Sequence, residues 1–229
     1  MDQPANDLYR RALVRQTLFL LFLAALLFMP AGTLRFWQGW VYLVVFSVLA
    51  FSVTLYFLRH DPKLVERRMA AGPGAEKVTT QKIIITVAFA CFFSIYIVSG
   101  IDYRLHGPSV PWPLVLLADL GVALGYVAVF FILKQNTYAA ATVQVETGQS
   151  VISTGLYRYV RHPMYTAGLL LLGVTPLALG SLWGLLMIVP ILGGLVWRLL
   201  DEEKYLTLNL PGYADYCRQV RYRLVPGIW

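Results

Sequence analysis

Six long apolar stretches, separated by polar segments, divide the 229-residue chain. Residues 37–58 carry no charge over 22 positions, and a helix of that length extends about 33 Å, enough to cross a bilayer. The other stretches are shorter or carry one charged residue, but they show the same apolar continuity. The predicted spans are residues 13–29, 37–58, 83–101, 112–133, 163–179 and 182–200.

This pattern predicts an all-α fold, a polytopic membrane helical bundle of about six transmembrane helices in one integral membrane domain, 1–229. Only Gly180 and Ser181 separate the last two spans, so we expect a C-terminal helical hairpin. The tail that follows is predicted to be amphipathic, because apolar side chains recur at helical spacing. These side chains are Tyr213, Tyr216 and Val220.

The composition agrees with a membrane protein and explains the net charge. Hydrophobic residues make up 58% of the chain, charged residues 14%, and the formal net charge is +7. Six spans place 17 of the 19 lysines and arginines on one side of the membrane. The positive-inside rule makes that side cytoplasmic, together with both termini. We therefore expect a protein of the plasma or inner membrane, and the basic charge requires no nucleic acid.

Several kinds of chemistry are excluded by missing motifs. The sequence contains no HExxH or CxxC pattern, so no metal site is predicted. It also contains no GxGxxG or P-loop, which argues against a Rossmann or Walker nucleotide site. The two cysteines, Cys91 and Cys217, are expected to be free thiols because one lies at membrane depth and the other near the surface.

Asp119 is an ionisable residue deep within a predicted span. A carboxylate at membrane depth is costly, so its side chain should face protein or a water-filled cavity. A structural hydrogen bond to another helix is the favoured interpretation, and a direct catalytic role is the alternative.

Residues 155–165 concentrate aromatic and polar side chains just before the fifth span. Pro163 suits the first position of a helix and His162 its N-cap, so free N–H groups at the helix start could bind an anion. The tyrosine rings of this stretch could hold an aromatic base. The alternative interpretation is an aromatic belt with arginines on lipid headgroups.

A second candidate segment, residues 198–203, lies at the end of the sixth span. Arg198 and Glu202 are four residues apart and share a helix face, which an intrahelical ion pair would also explain. Three carboxylates at the negative end of a helix are unfavourable unless a cation binds there. Since the two segments begin and end one hairpin, we expect them to lie close together.

Three motifs in the C-terminal half carry a family resemblance. They are Gly155-x-Tyr157-x-x-x-Arg161-His162-Pro163-x-Tyr165-x-x-Gly168, Arg198-x-x-x-Glu202-Glu203-x-x-Leu206 and Tyr213-x-x-Tyr216-x-x-x-Val220. In combination they resemble the isoprenylcysteine carboxyl methyltransferase family of integral membrane enzymes and the related phospholipid methyltransferases. The resemblance runs from residue 136 to residue 229.

The resemblance implies a methyltransferase that uses S-adenosylmethionine, bound outside a Rossmann fold, to methylate a lipophilic substrate at the cytoplasmic face. Residues 1–133 would then supply four spans, and residues 134–229 the cofactor-binding catalytic half. Arg198 matches the position that contacts substrate, and Arg198 and Glu202 are the candidate catalytic residues. The implied cofactor-binding residues are Gln149, Val151, Ile152, Tyr157, His162, Pro163, Met164, Tyr165 and Glu202.

The methyl acceptor stays open at this point. A carboxylate, as in isoprenylcysteine methylation, could be oriented by a forked hydrogen bond from Arg198. An amine or thiol would instead need a base, for which Glu202 or Tyr165 are candidates. The expected partners are a lipophilic or lipid substrate and membrane lipids, with no nucleic acid and no obligate protein partner.

Two other functions compete with methyl transfer. The C-terminal pattern Arg223-x-x-Pro226-Gly227-x-Trp229 is similar to the end of membrane sterol reductases, which suggests an NADPH-dependent reductase as an alternative. A non-enzymatic membrane protein is the other, and it predicts no ligand at the cytoplasmic face.

Overall fold

The computed structural model describes residues 3–75, 79–139, 141–142, 145 and 148–229. This part of the chain is 77% helical and contains no strand. The eight α-helices are α1 (Gln3–Ala31), α2 (Trp37–His60), α3 (Pro62–Met69), α4 (Thr79–His106), α5 (Trp112–Gln135), α6 (Pro163–Ala178), α7 (Ile188–Asn209) and α8 (Tyr213–Gln219).

The predicted polytopic helical membrane bundle is confirmed. Among the described residues, five segments are long and apolar enough to cross a membrane: α1, α2, α4, α5 and Trp183–Asn209, which joins a 3₁₀ turn to α7. The remaining predicted span, the fifth, is α6, which has 16 residues and is therefore only about 24 Å long.

Although α6 is short, it runs from one end of the bundle to the other. Its first residue follows His162, which contacts Glu203 of α7. After its last turn, the carbonyl of Gly180 accepts a hydrogen bond of 3.1 Å from the backbone N–H of Ser109. A Cβ on Gly180 would lie 3.3 Å from the side chain of Gln38, at the start of α2. The predicted hairpin of the last two spans therefore forms.

The predicted end of the last span at residue 200 is wrong, because α7 continues to Asn209. The extra residues, Asp-Glu-Glu-Lys-Tyr-Leu, include strong helix formers, and the helix stops only before Pro211, as proline requires. Residues 198–203 therefore lie inside a helix. The expected repulsion between their carboxylates and a helix end does not apply.

The surface helix α3 anchors the loop between α2 and α4. Asp61 caps it by accepting a 3.1 Å hydrogen bond from the backbone N–H of Leu64, and Pro62 occupies the first position. Leu64 and Val65 are buried against α1 and α2. This packing holds the other face of α3 in a fixed position.

Close helix crossings occur where glycine replaces a side chain. A Cβ on Gly100 of α4 would lie 2.5 Å from the carbonyl oxygen of Leu27 in α1, and one on Gly125 of α5 would lie 2.6 Å from the side chain of Leu171 in α6. Only glycine permits approaches this close. These contacts fix α4 and α6, the two helices that carry much of the site.

Asp119 is 5% exposed in α5, and neither carboxylate oxygen has a hydrogen-bond partner among the described residues. It does face protein, as expected. The interhelical hydrogen bond favoured from the sequence is not found in this part of the structure.

Candidate functional site

A cavity of about 430 Å³ lies between the segment after α5, the start of α6 and the middle of α7. Every residue that the resemblance assigned to the site contributes to its lining. These residues are Gln149, Val151, Ile152, Tyr157, His162, Pro163, Met164, Tyr165, Arg198 and Glu202.

The cavity has two chemically different walls. The wall just described is polar and aromatic, whereas a second wall is aliphatic and comes from α4, α6 and α7. The aliphatic residues are Ile84, Ile85, Ala88, Leu172, Ile191 and Leu195. The contribution of α4 was not anticipated, because residues from the first half of the chain carry no recognisable motif.

Glu203 is buried, and its carboxylate is surrounded by two arginines and a histidine. Its Oε1 accepts from Arg161 Nη1 at 2.9 Å and from His162 Nε2 at 3.2 Å, and its Oε2 accepts from Arg223 Nε at 2.9 Å. Arg161 also donates to the backbone carbonyl of Val220 at 2.7 Å. This cluster ties the start of α6 and the C-terminal tail to α7.

Glu202, the neighbouring carboxylate, faces the cavity and is linked to Arg198 through a third residue. The hydroxyl of Tyr165 donates to Glu202 Oε2 and accepts from Arg198 Nε at 3.1 Å. The spacing of Arg198 and Glu202 thus correctly predicted a shared face, and Tyr165, one turn into α6, bridges them. The hydroxyl couples the candidate acceptor-binding and cofactor-binding side chains.

Gln81 positions Arg198 from the opposite side and was missed by the sequence analysis. Arg198 Nη1 donates to Gln81 Oε1 at 2.9 Å, and Nη2 donates to the carbonyl of Ala141 at 3.0 Å. The Gln81 amide also donates to Asp201. Gln81 is only 2% exposed, and its position near the start of an apolar helix is the one feature of the sequence that could have drawn attention to it.

Tyr157 is placed by a 3₁₀ turn, Gly155–Arg158, that closes against the end of α5. Gly155 has φ +59°, and a Cβ there would lie 2.3 Å from the side-chain amide of Gln135, so the turn requires glycine. Asn136 Nδ2 donates to the Tyr157 hydroxyl at 2.9 Å. Burial raises the pKa of Tyr157, so the phenol is neutral at physiological pH.

The amphipathic tail, which follows α7, forms part of the cavity lining through Tyr213 and Tyr216. The side chains predicted to share a face, Tyr213, Tyr216 and Val220, are all buried, which confirms that part of the prediction. The hydroxyl of Tyr216 donates to the backbone carbonyl of Tyr157 at 2.7 Å. The tail therefore fixes the same turn that presents Tyr157.

Residues 114–210 match the family model of phospholipid methyltransferase. This stretch is therefore similar to a family of integral membrane methyltransferases, which includes the isoprenylcysteine carboxyl methyltransferases. We call the matched stretch the methyltransferase region; it covers less than half of the chain, from α5 to the end of α7, and so includes Tyr165, Arg198 and Glu202. It leaves out α1–α4 and the tail. A search of curated proteins found no significant match to the chain.

The methyltransferase region brings together groups that suit a sulfonium cofactor bearing an amino acid and a purine. Glu202 offers a carboxylate to an ammonium group. The rings of His162 and Tyr165 lie 5.6 Å apart at a 30° angle, which offers a flat surface to a base. No cluster of three metal-ligating side chains occurs in the portion of the chain that the structure describes.

Proposed function

We propose that the protein transfers a methyl group from S-adenosylmethionine to a lipophilic acceptor at the cytoplasmic face of the plasma or inner membrane. Membrane methyl transfer follows from the family region. The donor and the kind of acceptor are supported by one observation: a single cavity joins the predicted cofactor residues to an aliphatic wall formed by membrane helices. That arrangement suits one water-soluble and one lipid-soluble reactant.

The polar wall would hold the cofactor. Glu202 would bind its ammonium group, the ring pair of His162 and Tyr165 would contact its base, and the backbone at Gln149, Val151 and Ile152 would complete the site. When bound, the cofactor supplies an electrophilic methyl group on a positively charged sulfur. The side chains need only align the two reactants and exclude water.

Arg198 would orient the acceptor on the other side of Tyr165. When bound, the cofactor would supply the methyl group and its sulfur would retain the electron pair, while Arg198 would hold the acceptor that receives the methyl group. With a carboxylate acceptor, opposite charges neutralise and no base is needed, so Arg198 alone would suffice. With an amine or thiol acceptor, Glu202, through the Tyr165 hydroxyl, would receive the proton.

Calorimetry on the detergent-purified protein tests the cofactor. We expect S-adenosylmethionine to bind and NADPH not to bind. Binding of NADPH alone would favour the reductase alternative, whose supporting observation is that Arg223 of the shared tail pattern contacts Glu203 behind the cavity. Failure of both to bind would favour a non-enzymatic protein.

Substitutions separate the roles of the two walls. Glu202→Gln should weaken cofactor binding about tenfold or more, because a hydrogen bond to a charged group is lost, and His162→Ala should weaken it because half of the ring surface for the base is lost. Arg198→Ala should leave cofactor binding intact and lower turnover in an assay with a labelled methyl donor and membrane lipid extract. Loss of cofactor binding in Arg198→Ala would contradict this division of roles.

Adjacent glycines on α7 offer a matched test of the aliphatic wall. A Cβ would meet no atom within 4 Å at Gly193 or at Gly194, but only Gly194 lines the cavity in the described part of the chain. Gly194→Leu should fill the space for the acceptor, raising its KM while cofactor binding stays unchanged. Gly193→Leu should change neither, and equal effects of both would argue against acceptor binding here.

A further inference from the structure

Arg68, on the surface helix α3, lines the cavity although it lies far from the family region in sequence. It is partly buried, and the packing of Leu64 and Val65 against α1 and α2 fixes the helix that carries it. Arg67, the next residue back, does not line the cavity in the described structure. Only one of two adjacent arginines is thus directed to the ligand space.

The guanidinium of Arg68 makes fewer hydrogen bonds to the described residues than do the guanidinium groups of the other arginines that line the cavity. It makes one hydrogen bond, of 3.3 Å, to the carbonyl of Ala139, and no carboxylate among the described residues pairs with it. Arg161, by contrast, contacts Glu203 and two backbone carbonyls, and Arg198 contacts Tyr165, Gln81 and Ala141.

Burial without a counter-charge is unfavourable for a cation, and it lowers the pKa of Arg68 from its ordinary value. A guanidinium remains charged even so, because its unperturbed pKa is far above neutrality. An anionic group that enters the cavity would therefore restore the missing counter-charge.

A second hydrogen-bond donor lies on the same wall. The oxygen of Tyr157 accepts from Asn136, which leaves its own hydrogen to donate, and this hydrogen has no acceptor within the described residues. Tyr157 and Arg68 both line the cavity, and both are held by the segment that follows α5: Arg68 by the carbonyl of Ala139 and Tyr157 by the side chain of Asn136. A planar guanidinium beside a hydroxyl suits the two or three oxygens of a carboxylate or phosphate.

We propose that Arg68 and Tyr157 form an anion-binding subsite of the cavity, which takes a carboxylate or phosphate group of a ligand. The source of that anion rests on the proposed function: it is either the carboxylate of S-adenosylmethionine or an anionic group of the lipophilic acceptor. The subsite assigns a ligand-binding role to the segment between α2 and α4.

The experiment compares Arg68→Gln with Arg67→Gln, its matched control on the same helix. Calorimetry with S-adenosylmethionine and with decarboxylated S-adenosylmethionine, which lacks the carboxylate, tests the cofactor as the source. Dodecyl phosphate and dodecanoate, with uncharged dodecanol as reference, test an amphiphilic anion. Thermal unfolding in detergent is recorded for each variant.

If the cofactor is the source, Arg68→Gln weakens S-adenosylmethionine binding about tenfold or more and leaves the decarboxylated ligand unaffected. If the acceptor is the source, both cofactor forms bind normally and the anionic amphiphiles lose about tenfold in affinity. Arg67→Gln should change neither. Arg68→Lys, which keeps the charge, and Tyr157→Phe, which removes only the second donor, should show smaller losses and stay informative if Arg68→Gln unfolds.

Equal binding of every ligand by Arg68→Gln and Arg67→Gln would overturn the subsite and leave the proposed methyl transfer standing. Conversely, loss of dodecyl phosphate binding in Arg68→Gln, in a protein that binds no S-adenosylmethionine, would support the subsite and refute the proposed function.

Discussion

The two ends of the bundle each contain a buried carboxylate that joins three chain segments. At one end, Asp102 accepts from Ser181 at 2.6 Å and from Ser109 at 3.3 Å, and it contacts His106 Nδ1 at 2.8 Å. At the other end, Glu203 holds Arg161, His162 and Arg223. A buried carboxylate thus holds neighbouring segments together at both ends of the bundle.

The difference lies in what the partners do besides binding the carboxylate. The serines bound to Asp102 belong to connections between helices, so Asp102 secures the tip of the α6–α7 hairpin against α4. Two partners of Glu203, Arg161 and His162, also line the cavity. A buried carboxylate therefore stabilises the fold at one end, whereas at the other end it also shapes the ligand site.

The largest effect is expected at Glu203. Glu203→Gln leaves Arg161 and Arg223 around a neutral side chain, and loss of one partner from a buried charge cluster costs about 3–5 kcal/mol. Thermal unfolding in detergent should show a clear drop in Tm, and S-adenosylmethionine binding should weaken in parallel. A variant with normal Tm and normal binding would show that the cluster is dispensable.

A smaller effect, confined to the site, is expected at Tyr165. Tyr165→Phe removes the hydroxyl that links Arg198 to Glu202, and hydrogen bonds to charged groups contribute about 1.5–3 kcal/mol. Turnover with a labelled methyl donor should fall about 10- to 100-fold while Tm changes little. An unchanged turnover would mean that the link has no role in the reaction.

Asp102 provides the contrast at the opposite end. Asp102→Asn keeps the size and one acceptor oxygen, so the loss of stability should be about 1–2 kcal/mol. Thermal unfolding should detect it, and cofactor affinity measured at a temperature where the variant is folded should equal that of the wild type. A reduced affinity would show that the two ends are coupled.

The smallest effect is expected at Gln81. Gln81→Leu removes the hydrogen bonds that hold Arg198 and Asp201, at a loss of about 1 kcal/mol, or fivefold in rate. A steady-state assay should show reduced kcat with unchanged cofactor affinity, because Gln81 acts through Arg198. Gln81→Met, which keeps the length and bulk of the side chain without its hydrogen bonds, separates this positioning role from simple packing. A normal kcat in Gln81→Met would argue for packing alone.

Local patterns in the sequence predicted much of this architecture. Apolar continuity located the spans, Pro163 marked the start of α6, and the short Gly180-Ser181 connection placed residues 155–165 beside residues 198–203. The extent of α7 was mistaken, because polar residues 201–207 end the apolar pattern while favouring helix. The end of an apolar run indicates where the chain leaves the hydrocarbon of the membrane, and the helix itself can continue beyond that point.

Contacts between distant segments could not be predicted in this way. Gln81 and Arg68 belong to different segments before α5, and nothing in their neighbouring residues indicates that they meet Arg198 or the cavity. Their roles depend on helix crossings such as the one at Gly100, which are properties of the assembled bundle. The same limit applies to Asp119, whose burial was predictable, whereas its lack of a hydrogen-bond partner among the described residues was not.

The rotational setting of α7 follows from the anchoring of Glu203. Successive residues on an α-helix are turned by about 100°, so the three side chains bound to Glu203 also fix the direction in which Glu202 and Arg198 point. One residue inserted after Leu199 would turn Arg198 by about 100° relative to the two glutamates. The anchoring of Glu203 thus sets the rotation of α7 about its own axis, and with it the directions of the Arg198 and Glu202 side chains.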